Sequence, residues 1–169
     1  SAFVISMLGC TLCFGGHRDE AIERLHQAMR ASPHDPLTWL WTLWLAAAQL
    51  FAGQYEPALE AMNQLARLRP EYPPLLKIAC LAHMGRLEEA QSALAGIPAE
   101  SMAQFRRLAD HRPPFMRPED FAYRHEGLRL AGAHDRRLQQ RRPGRRARGR
   151  EQLGARPAQE QRGRGQPLG

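Results

Sequence analysis

The chain has 169 residues, of which 43% are hydrophobic, with only three cysteines and a formal net charge of +7. That suffices for one ordinary domain and rules out a disulfide framework. The charge is not shared evenly: up to Ala133 there are 13 basic and 14 acidic residues (net −1), and from His134 eleven arginines stand against three acids (net +8), so the basic balance says nothing about the part that folds.

In chain order, helices are expected over about 2–14, 18–31, 37–52, 55–68, 74–84 and 87–95, from apolar residues at helical spacing between glycine and proline breaks. A seventh is expected over about 99–110, with Glu100 in its first turn. The breaker 111–118 follows, and Pro118, suited to a first helical position, opens a last helix to about residue 131. Residues 1–14 are apolar but lack a basic leader and a cleavage site, which argues against a signal peptide. The run 37–52 is shorter than the ~20 residues a membrane span needs, and it reads as the most buried helix of the array. The chain opens on Ser1 inside its first helix, which reads as a fragment or processed product of something longer.

A spacing recurs along these helices. Gly16 is followed by Ala21, Leu25, Ala28 and Pro33, and Gly53 by Ala58, Met62, Leu65 and Pro70 at the same four offsets. Gly85 is followed by Ala90, Leu94 and Ile97 before Pro98 arrives early. Glycine permits the sharp turn between two helices. The alanine sits where the helices cross closely, the next two positions share its inward face, and proline ends the helix. The stretches Gly16-His-Arg-Asp-Glu-Ala-Ile, Gly53-Gln-Tyr-Glu-Pro-Ala-Leu and Gly85-Arg-Leu-Glu-Glu-Ala-Gln, with Leu8-Gly9 and Leu45-Ala46 upstream, resemble the tetratricopeptide repeat. The resemblance implies an all-α solenoid of helical hairpins with about three repeats over 1–98, and capping helices over 99–132. The glycine spacings of 37 and 32 residues bracket the family period of ~34. The extra residues fall at 32–36, and the missing ones shorten the first helix of the third unit.

The order Ala-His-Met-Gly-Arg-Leu-Glu-Glu-Ala over 82–90, then Phe115-Met-Arg-Pro-Glu-Asp-Phe and Tyr123-Arg-His-Glu-Gly-Leu-Arg-Leu-Ala-Gly132, resembles the carboxy-terminal region of bacterial class III adenylate/guanylate cyclases that carry such repeats. The resemblance covers about 1–132 and implies a noncatalytic regulatory module. The cyclase catalytic domain has no counterpart here, so no active-site residue carries over.

From residue 133 the chain uses nine residue types, all with codons beginning in C or G. Such a tail, 133–169, is expected to be disordered, and its bias suggests an out-of-frame reading of a GC-rich gene. Its charge implies nonspecific attraction to polyanions, and the lack of aromatic residues argues against specific nucleic-acid recognition.

Catalytic, cofactor and metal sites are not expected. No nucleophile stands beside a base, and no glycine-rich phosphate loop appears. Cys10, Cys13 and His17 have helical ligand spacing, but Gly15-Gly16 interrupts the helix and no fourth ligand is in view. The cysteines read as small core residues, consistent with a reducing cytoplasmic setting. Trp39, Trp41 and Trp44 read as packing between neighbouring repeats. The work of a repeat array is done in its groove, which the resemblance places on the first helix of each unit. There it implies Phe3, Ser6, Cys10 and Cys13 in the first unit. The second contributes Leu40, Leu43, Ala47 and Leu50, and the third Tyr72, Leu75, Ala79 and His83. This lining is mostly apolar. It suits an apolar helix as partner, from the same protein, a second copy or another chain, and these residues equally suit packing within the solenoid. Three readings remain: a module cut from a cyclase-like signalling protein, a free-standing repeat adaptor, and a protein acting on nucleic acid through its tail.

Overall fold

The computed structural model describes residues 1–134. Its eight helices are α1 (Ala2–Gly15), α2 (Arg18–Ala31), α3 (Thr38–Phe51), α4 (Tyr55–Leu68), α5 (Leu75–His83), α6 (Leu87–Ala95), α7 (Ala99–Asp110) and α8 (Pro118–Leu130), and the described residues contain no strand. The expectations for a disordered 133–169 tail and for its polyanion binding fall, beyond residue 134, outside the described residues.

Each of the first three helix pairs is a hairpin closed by the same turn. Gly16, Gly53 and Gly85 have φ of 87°, 75° and 76°, the left-handed region that a Cβ would strain. The amide after each glycine reaches five residues back: His17 to the Leu12 carbonyl, Gln54 to Gln49 and Arg86 to Leu81, each at 2.9 Å. These bonds satisfy carbonyls that the helix end would leave unpaired.

The hairpins α1–α2, α3–α4 and α5–α6 stack in order, α2 on α3 and α4 on α5, with α1, α3 and α5 side by side as one face. Ala21, Ala58 and Ala90 have no exposed surface, and they sit five residues beyond the turn glycines, where the hairpins cross. Gly9 serves the same closeness from the other helix: a Cβ there would lie 2.8 Å from Leu25 Cγ. Burial runs continuously from Cys13 and Ala21 through Leu50, Ala58 and Ile78 to Ala90, Phe105 and Leu128. A smaller cluster, Leu25, Ala28, Trp41 and Leu45, joins the first two units. α5 is only nine residues long, matching the shortened first helix of the third unit.

The chain beyond the third unit does not continue the stack. α8 packs chiefly against α5, not α6, and so lies on the face made by the first helices. Its start is anchored in the first unit, where Arg18 Nη2 donates to Asp120 Oδ1 at 2.5 Å. Met116, in the segment before α8, is buried in the main core.

Candidate functional site

The first-helix face is where the sequence places a groove, and the structure divides it. At the third unit α8 covers it. Gly127 lies so close to α5 that a Cβ would meet the Ala79 Cα and carbonyl oxygen at 2.8 Å each. His83 stacks on Tyr123, with ring centroids 3.8 Å apart and planes 8° from parallel, and its Nε2 donates to the Tyr123 carbonyl at 2.8 Å. The Tyr123 hydroxyl meets the Tyr55 hydroxyl at 2.5 Å. Desolvation and that hydrogen bond hold the Tyr123 phenol protonated well above its ordinary range.

Between α8 and the second unit a cavity of about 170 Å³ remains. Leu43, Ala47, Tyr72 and Leu75 line it from α3 to α5, and Phe115 and Arg124 line it from the returning segment. Arg124 is 7% exposed. Its Nη2 donates to the carbonyls of Leu108 at 3.0 Å and His111 at 3.2 Å, which caps the end of α7 with a positive charge, as the helix dipole favours. Burial lowers its pKa. Of the other two groove positions, Leu40 packs against the Leu25–Trp41 cluster, and Leu50 is fully buried in the main core.

In the first unit Ser6, Cys10 and Cys13 are buried, and Phe3 is 50% exposed. Phe3 belongs with Val4 (64%), Met7 (40%) and Leu8 (45%). At helical spacing these four share one face of α1.

Residues 16–77 match the tetratricopeptide repeat family. The match runs from the first turn glycine through α2, α3 and α4 into α5, and the helical hairpins over this stretch have a tetratricopeptide-like architecture. No curated protein and no solved structure matches the chain. No helix among the described residues is long and apolar enough to cross a membrane.

The repeat region's remaining singular residues have packing roles. Trp41 is fully buried. The Arg69 guanidinium sits 4.5 Å from the Trp39 ring centre, and Trp44 lines the cavity. Cys10, Cys13 and Cys80 are free and buried. Desolvation pushes their thiols up to about 11, about 12 and about 11, with the Cys10 charge adding at Cys13. These are protonated core thiols, poor as nucleophiles or ligands. His17 lies exposed at the start of α2. A different group was missed from sequence. Asp110, His125 and His134 each place one ligand-type atom within 4.8 Å of the others. Their spacings of 15 and 9 residues match no metal motif.

Proposed function

We propose that this chain is a noncatalytic interaction and regulatory module, and that it forms the carboxy-terminal part of a cytoplasmic signalling protein of the class III nucleotide-cyclase kind. The reading divides it into repeats over 1–98, carboxy-terminal helices over 99–132 and a basic tail over 133–169. The observation that carries it is the face of α1: Phe3, Val4, Met7 and Leu8 stand exposed along one side of the first helix. A patch of this kind on a repeat unit is the surface against which a further helix stacks. The partner is therefore an apolar helix presented to α1, with an intramolecular domain as first choice. The cyclase reading rests on the motifs over 82–90 and 115–132, and Asp120 and Gly127 within them join α8 to the repeats.

The reading frame upstream of Ser1 tests the parentage: an in-frame cyclase domain supports it, and its absence leaves a free-standing adaptor. The surface is tested by pairing Val4→Glu with Leu8→Glu. Both side chains are already partly covered, so each loses a fraction of the ~1.5–3 kcal/mol that full burial supplies, and binding to the separately expressed preceding domain is expected to weaken at least about tenfold. Helix content should be unchanged by circular dichroism. Undiminished binding would place the partner elsewhere.

A further inference from the structure

We propose that Asp110, His125 and His134 form a binding site for a divalent transition-metal ion of the zinc class. The three come from separate places. Asp110 ends α7, His125 sits midway along α8, and His134 follows the turn at Gly132, whose φ is 83°. That turn repeats the hairpin closure of the units, with the Ala133 amide reaching the Leu128 carbonyl at 2.9 Å, and it carries His134 back beside α8. The His125 and His134 rings lie 4.7 Å apart, centre to centre, and His134 Nδ1 stands 3.7 Å from Asp110 Oδ1.

Metal bonds of about 2.0–2.2 Å separate tetrahedral ligands by roughly 3.4 Å. The histidine–aspartate pair is thus nearly at coordination distance. The widest separation in the group, 4.8 Å or less, closes by rotation of Asp110 and His134, whose side chains are 63% and 38% exposed. His125 is the fixed member. Its Nδ1 is buried and has no hydrogen-bond partner among the described residues, so this imidazole carries a bonding capacity that nothing nearby meets. Two imidazoles and one carboxylate suit zinc, cobalt, nickel or copper rather than magnesium or calcium. Three protein ligands leave a fourth position for water.

The location gives the ion something to do. α7 touches α8 sparsely, and the Arg124 guanidinium of α8 ties the two by donating to the carbonyls of Leu108 and Ala109 in α7 and of His111 just beyond it. An ion at Asp110, His125 and His134 would add a second tie at the same end. It would hold α7, and the segment leading away from α8, to the helix that covers the groove.

The test is titration of the full 169-residue chain with Zn²⁺ by calorimetry and with Co²⁺ by absorption. One equivalent should bind without a thiolate-to-cobalt charge-transfer band, and Zn²⁺ should raise the thermal midpoint. His125→Ala and Asp110→Asn should each weaken binding by about 100-fold or more, since a direct ligand contributes at least as much as its supporting shell. His134→Ala, at an exposed position, should do the same, and it decides the matter if His125→Ala loses helix content. Unchanged affinity in His134→Ala, a thiolate band, or the absence of saturable binding would overturn the proposal.

Discussion

Gly127 and Ala79 meet with almost nothing between them, and this contact sets how near α8 can come to α5. A methyl at 127 would stand 2.8–2.9 Å from the Ala79 backbone and Cβ, and none of those atoms is the free end of a flexible side chain. Gly127→Ala must therefore move one helix. It is expected to destabilise by about 1–3 kcal/mol, the usual cost of overpacking, as read by urea denaturation. The alanine ordinarily favoured inside a helix is here the wrong residue. Asp120 is a second such position, 2% exposed. One carboxylate oxygen meets Arg18, and the other has no hydrogen-bond partner among the described residues. Arg18 keeps 30% of its side-chain surface in water, so losing Asp120 strands only a partly solvated cation. The expected cost of Asp120→Ala is about 1–3 kcal/mol, below that of breaking a fully buried pair.

At the scale of elements, α8 differs from the repeat helices in what holds it. α3 buries nine residues, from Trp41 to Phe51, whereas α8 buries Asp120, Arg124, Gly127 and Leu128, half of them charged. Its attachment combines one buried leucine, Leu128, with an ion pair, a tyrosine pair, a stacked histidine, the Arg124 bonds to α7 and one close backbone contact. Such an element opens below the free energy of global unfolding. Hydrogen exchange should show the α8 amides less protected than those of α3, and Asp120→Ala should lower protection in α8 while leaving α3–α4 nearly unchanged. Equal protection in both helices would mean that α8 unfolds only with the core. The helices themselves were legible in the sequence: α2, α4, α6 and α7 coincide with the spans read from periodicity and breaks, α1 and α8 differ by one residue at one end, and α3 and α5 are one residue shorter at each end. Turn glycines and proline stops act within a few residues, so the sequence alone exposes them. The docking of α8 has no such local signal. Pro118 announces where the helix starts, but its amphipathic pattern is weak, because its buried positions are Asp120, Arg124, Gly127 and Leu128 rather than an apolar stripe.

For the whole molecule, the three buried thiols make stability depend on alkaline pH. Their folded pKa values of about 11, about 12 and about 11 lie above the ordinary 9.0, so the folded state keeps protons that the unfolded state releases. The contribution is complete below pH 9 and is lost as pH rises towards 12. Denaturant midpoints should fall across that window, and replacing the cysteines by alanine should flatten the decline. At neutral pH the thiols should resist alkylation until the array unfolds.

The residues by themselves determined the hairpins, their turns and the small side chains at their crossings, since each depends on neighbours within one or two helical turns. Only the tertiary structure decided where the chain goes after the third unit. The Arg18–Asp120 pair joins residues 102 apart in sequence, and the convergence of Asp110, His125 and His134 depends on how α7 and α8 fold back. Contacts of that range are chosen by which surfaces remain to be buried once the units have stacked, a property of the assembled array that no single segment carries.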